Sequence, residues 1–170
     1  TTKTIKVSNI DKIAPNTPTL SINAPENIWV EQDVIATITD NGDEGGSGFR
    51  VEYKLEGSVS QDWREYKEKV KIEKDGVTKI TARVVDNAGN VSPTVSKTFK
   101  IDQDAPVITV TPDIFLLTNT DVNLTVKADD KGGQGVKRIQ LPNGNWVNVD
   151  EFVFTVSDNG IYTFKYKDNI

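Results

Sequence analysis

Thr81-Ala82-Arg83-Val84-Val85, running into Asp86-Asn87-Ala88-Gly89-Asn90, is the stretch that decides the fold. Its first residues alternate polar and apolar with period two, the signature of a strand that buries one face. Its last residues stop the strand: Asp and Asn bond their own backbone in turns, and Gly89 supplies a positive φ. The same alternation recurs outward in Val51-Glu52-Tyr53-Lys54-Leu55 and in Tyr162-Thr163-Phe164-Lys165-Tyr166. Val, Ile, Thr and aromatic residues fill these runs, as a pleated, half-buried surface favours. Asn41-Gly42, Asp75-Gly76, Pro142-Asn143-Gly144 and Asn159-Gly160 punctuate them as turns. No dozen residues hold a helical period. The one challenger is the charged, uninterrupted Asp62–Lys74, but its neighbour in the second half, Phe152-Val153-Phe154-Thr155-Val156, is strand-like. Both regions are therefore expected to be hairpins, and the chain all-β.

Repetition sets the organisation. Ile10-Asp11-Lys12-Ile13-Ala14-Pro15 returns as Ile101-Asp102-Gln103-Asp104-Ala105-Pro106. Before each lies a short alternating stretch, Lys3-Thr4-Ile5-Lys6-Val7 and Lys97-Thr98-Phe99-Lys100-Ile101. After each come a Pro-rich start, a strand (Asp33–Ile38, Asp121–Val126), a Gly-rich acidic loop (40–48, 129–135), another strand, a Trp segment (Trp63, Trp146) and a strand ending in Asp-Asn. The reading is of residues 1–13 as the last strand and linker of an upstream repeat, 14–101 as a complete repeat, 102–104 as linker, and 105–170 as a second repeat lacking its last strand. Six or seven short strands per unit of about 85 residues is the pattern of a β-sandwich.

Composition narrows the chemistry. The 170 residues contain no Cys, His or Met, which removes disulfides, thiolate ligands, a His-bearing zinc site and a His-based triad. A net charge of −5 disfavours nucleic acid and anionic lipid as partners. No apolar run approaches the roughly 18 residues of a membrane span. No Gly-x-Ser-x-Gly or Ser-x-x-Lys pattern occurs in a fitting strand-to-helix context, and no enzymatic activity is expected.

Val51–Leu55, Trp63, Tyr66, Asp75-Gly76 and Ala82-Arg83-Val84-Val85-Asp86-Asn87-Ala88-Gly89-Asn90-Val91-Ser92 together resemble the bacterial immunoglobulin-like repeats found in tandem on surface adhesins, surface-layer proteins and secreted multidomain hydrolases. The second copy matches less well, with Ile170 at the place of Ala88. The resemblance implies an extracellular stalk, spacer or adhesive module of a cell-surface or secreted protein. It implies neighbouring domains, or host or cell-wall proteins or glycans, as partners, and carries no catalytic residues across.

Three sites are weighed against plainer readings. Asp40, Gly42, Glu44 and Gly45 fill places of an EF-hand-like count, but Gly42 and Lys131 fail at the third ligand and Val51 at the twelfth, so a loop without metal is expected. At the junction, Asp86, Asp102 and Asp104 would bring carboxylates together around a hard cation, and the resemblance adds that some such arrays use calcium at their joints. The alternative, which the sequence favours, is no cofactor, with Asp86–Asn90 a simple turn; Asp104 is matched by Ile13 in the upstream linker. Trp29, Trp63 and Trp146 are candidate sugar platforms, but the recurrence of Trp63 and Trp146 points to packing. The expected function is a non-catalytic spacer and adhesion module, the alternative a carbohydrate-binding accessory module of a secreted hydrolase. An internal Lys–Asn isopeptide bond has no spacing rule that selects one here.

Overall fold

The structure, a computed structural model, describes residues 2–130 and 136–168. The chain divides between Ile101 and Asp102 into two compact units, both all-β.

The first unit is built around β7 (Gly76–Asp86), in which Thr78, Ile80, Ala82, Val84 and Asp86 are buried at alternate positions. One edge of β7 pairs antiparallel along β4 (Phe49–Gly57) and the other along β8 (Val95–Ile101). β5 (Gln61–Glu65) extends the sheet beyond β4, and the two-residue β2 (Trp29–Val30) lies parallel to β8. The facing sheet is β1 (Thr19–Ile22), β3 (Val34–Thr39) and β6 (Val70–Ile72), with β3 in the middle. Val34, Ala36 and Ile38 of β3 face Leu55, Ile80, Phe99 and Ile101 in a single core. Burying each such aliphatic or aromatic side chain contributes about 1.5–3 kcal/mol. A three-stranded sheet packed on one of order β2-β8-β7-β4-β5, with β2 and β8 paired in parallel, is an immunoglobulin-like sandwich.

The second unit repeats this plan, with longer strands in one sheet and shorter strands in the other. β9 (Val107–Pro112), β10 (Val122–Asp129) and β13 (Glu151–Val156) form one sheet, with β10 in the middle. β12 (Trp146–Val147), β11 (Val136–Gln140) and β14 (Lys165–Asp168) form the other. Its core is small: Val126, Ala128 and Ile139, with Phe152, Phe154 and Phe164 packed around them. Among the described residues no strand takes the place that β8 holds in the first unit.

The expected hairpins do not form. β5 and β6 belong to different sheets, as do β12 and β13. Tyr66 donates its N–H to the Val51 carbonyl (2.8 Å) and meets the Tyr53 ring edge-on. Lys67–Lys69 then carry the chain across the sandwich, where Val70 and Ile72 enter the core from the opposite sheet.

Candidate metal centres

The Gly-rich loop after β3 folds back onto the turn that ends β7. Asn87 holds it there: its N–H donates to the Gly48 carbonyl (2.8 Å) and its Nδ2 to the Ser47 carbonyl (2.9 Å). The turn closes as its residues predict, with Gly89 at φ +95° and the Asp86 N–H donating to the Asn90 carbonyl. Asn90 also reaches the incoming chain, its Nδ2 donating to the Asp11 carbonyl at 3.3 Å. Three segments distant in sequence thus converge, and each brings a carboxylate: Asp11, Asp43 and Asp86 offer ligand atoms within 4.8 Å of one another.

The three differ in how their charge is satisfied. Asp86 is 1% exposed. Burial alone would raise its pKa, but hydrogen bonds outweigh it: Asn90 donates from Nδ2 (2.8 Å) and from its backbone (2.7 Å), and Gly89 and Ala88 add backbone donors, so the carboxyl is held below the usual range. Asp11 and Asp43 each use Oδ1 locally, accepting from the N–H of Ile13 (3.0 Å) and of Gly45 (3.1 Å). Their Oδ2 atoms are buried with no hydrogen-bond partner. Buried, unsatisfied anionic oxygens are costly. Gly45 leaves room for them: a Cβ there would lie 2.5 Å from Asp11 Oδ2 and 2.6 Å from its Cγ.

The second unit holds a matching trio. Asp102, Asp130 and Asp168 also offer ligand atoms within 4.8 Å of one another, and Asp102 is 2% exposed. In both units one acid comes from the Ile-Asp-x-x-Ala-Pro segment (Asp11, Asp102), one from the loop after the second strand of the three-stranded sheet (Asp43, Asp130) and one from the strand end (Asp86, Asp168).

The grouping expected from the sequence is therefore corrected in its membership. Asp86 and Asp102 both belong to carboxylate trios, but to different ones, because each strand-end acid meets the linker acid at the entrance of its own unit. Asp104 is exposed and belongs to neither. In the Gly-rich loop it is Asp43 that enters a trio, while Asp40 and Glu44 face solvent; Lys131 lies outside the described residues. Asp11, Asp43, Asp130 and Asp168 were legible as a recurring set, one acid per matched segment, rather than by neighbourhood along the chain.

The tryptophans carry cations. Arg83 stacks 3.9 Å and Lys54 5.6 Å from the Trp63 ring centroid, and Arg138 sits 4.5 Å from that of Trp146. Arg83 is itself held by Glu52 (2.8 Å), which also takes Arg50 (2.7 Å). The Trp63 ring thus belongs to a charged network rather than to the core, and Trp146, beside Arg138, is 39% exposed.

No family model matches the chain, and no curated protein matches it. Among solved structures it is similar to the D00-D0 domain of Intimin, at 16% identity and a TM-score of 0.38, covering 86% of this chain and 90% of that one. It is also similar to the FN1-FN3 domains of chicken CNTN1, at 11% identity and a TM-score of 0.35, covering 92% of this chain and 56% of that one. Both likenesses are faint; the immunoglobulin-like assignment stands on strand order and register.

Proposed function

We propose that the chain is a non-catalytic spacer and adhesion module of an extracellular bacterial protein, and that a calcium ion in each carboxylate trio fastens the incoming chain to its unit. The observation that carries this reading is the recurrence of the trio at corresponding places in both units, with buried, partnerless oxygens on Asp11 and Asp43 in the first. Oxygen-only donors, with no His or Cys in the chain, suit a hard cation. Bound calcium would supply the positive charge that lets three carboxylates sit together, and would tie the segment before β1 to the β3–β4 loop and the end of β7. Such a tie turns a flexible entrance into a fixed one, which is what a spacer under tension needs. The stacked cations on Trp63 and Trp146 weigh against a sugar platform, since an occupied ring face is not free to receive one. Among the described residues no helix is long and apolar enough to cross a membrane.

The test is thermal melting in EDTA and in millimolar calcium. Extracellular sites of this kind bind at about 10⁻⁴–10⁻³ M, and a tenfold excess over the dissociation constant stabilises by about 1.4 kcal/mol. A rise of several degrees is expected, lost in the first unit with Asp43→Asn and in the second with Asp102→Asn. Identical melting with and without calcium would remove the metal from this reading.

A further inference from the structure

We propose that Asn87 is a positioning residue that sets the calcium affinity of the first unit's trio without touching the ion, by latching the Gly-rich loop so that Asp43 reaches Asp11 and Asp86; the inference rests on the calcium reading above. The loop is clamped by asparagine at both ends. At its start, Asn41 Nδ2 donates to the Thr17 carbonyl (2.6 Å) and to Thr19 Oγ1 (3.1 Å). Asn16 donates from its backbone to the Gly42 carbonyl (3.1 Å) and from Nδ2 to the Asn41 carbonyl (3.0 Å). These bonds tie the loop to β1 and the residues before it. At its end, the two bonds from Asn87 to the Ser47 and Gly48 carbonyls tie it to the turn after β7. Between the clamps the loop closes on Asp43, whose carbonyl accepts from the Gly46 N–H (3.3 Å) and whose Oδ1 accepts from that of Gly45. A shift of Ser47 and Gly48 therefore carries Asp43 with it.

The residue types at the latch are specific. Both groups that Asn87 meets are carbonyl oxygens, so position 87 must donate, and an amide does so without adding charge. Gly48 admits it: its φ is +80°, and a Cβ there would lie 2.9 Å from Asn87 Nδ2. Asp86 and Asn87 thus divide two tasks between neighbouring positions, the acid joining the trio and the amide holding the loop. Of the acids, Asp43 depends most on the latch. Asp86 is fixed by Asn90 within its own turn. Asp43 has only a bond inside its own loop, and its Oδ2 is buried without a partner. A loop already held in place has less conformational entropy to lose when an ion binds. Groups that orient metal ligands from behind are worth about tenfold to hundredfold in affinity.

The test is a calcium titration of the full chain followed by NMR at the backbone amides of Gly45 and Asn90, which reports the first trio by itself. Asn87 is exposed, so replacing it does not open the core. Asn87→Ala is expected to raise the dissociation constant about tenfold or more. Asn87→Asp keeps the shape and adds a negative charge beside the trio, which by charge alone would tighten calcium binding; losing the donor to Ser47, it is expected to weaken it instead. Added to Asp43→Asn, Asn87→Ala is expected to cost less than about twofold, because a latch that works through Asp43 has little left to position. A chain whose amides show no calcium binding removes the calcium reading and this inference with it. Equal binding with Asn, Ala or Asp at position 87 removes the latch alone. So does tighter binding by Asn87→Asp, or a loss from Asn87→Ala that Asp43→Asn leaves undiminished.

Discussion

Gly45 is glycine because Asp11 occupies the space a side chain would take. Its backbone is not in the left-handed region, so Ala is tolerated by the loop and the consequence falls on the Asp11 carboxylate, the movable end of a side chain. Gly45→Ala should leave melting in EDTA nearly unchanged, within about 0.5 kcal/mol, while reducing the calcium-induced rise of the first unit; an undiminished rise would place the ion elsewhere. Glu52 makes a different kind of prediction. Burial would raise its pKa, but hydrogen bonds and charges from Arg50 and Arg83 prevail and hold it below the usual carboxylate range. A depressed folded pKa adds stability above the unfolded value, and that stability is lost as pH falls through the folded one. Glu52→Gln should therefore cost about 2 kcal/mol at pH 7, and the gap between the two proteins should narrow below about pH 4. Urea denaturation at neutral and acid pH checks this, and a gap independent of pH would show that packing, not charge, holds Glu52. The site was only half readable from residue types. Asp86 and Asp102 stood out because they flank a turn and a linker. Their partners could not be found from proximity in sequence, since Asp11, Asp43 and Asp86 meet only after the loop has folded onto the turn.

At the scale of elements, β8 and the Lys3–Val7 segment test how much sequence alone determines. They carry the same alternation, yet one is a core strand and the other is exposed, because only β8 has β7 beside it. Phe99→Ala should destabilise the first unit by about 3–5 kcal/mol, the range for emptying a fully buried aromatic site. Ile5→Ala should shift it by less than about 0.5 kcal/mol, measured by urea denaturation. Equal losses would mean that the segment packs on its own unit. The same distinction explains where the sequence reading succeeded and failed. Period-two alternation says which residues of β3 and β7 face inward, and those are buried, although in β7 Thr81 and Val85 on the other face are buried too. It does not say which sheet a strand joins. Val70-Lys71-Ile72 alternates correctly, and the expected hairpin with Gln61–Glu65 fails only because its apolar face meets the core from the other side.

The whole molecule is two units whose cores differ in size among the described residues, and that inequality should appear in its unfolding. In the first unit both sheets send side chains into one cluster, from Leu20 of β1 to Ile101 of β8, and β7 is flanked along its length. In the second, three buried side chains anchor the core among the described residues, and the approach to β14 is unpaired. Buried apolar area sets most of the favourable term in folding, so the second unit has less with which to offset the entropy of its backbone. Two domains of different stability break two-state behaviour for the chain as a unit. Calorimetry of dilute protein in EDTA should show two transitions, the lower from the second unit. Substitutions assign them: Phe164→Ala should lower only the first transition and Phe99→Ala only the second, by roughly 4–8 °C for each kcal/mol lost from a unit of this size. A single transition shifted by both substitutions would mean that the units unfold together, and that the weaker one is held by its neighbour rather than by its own core.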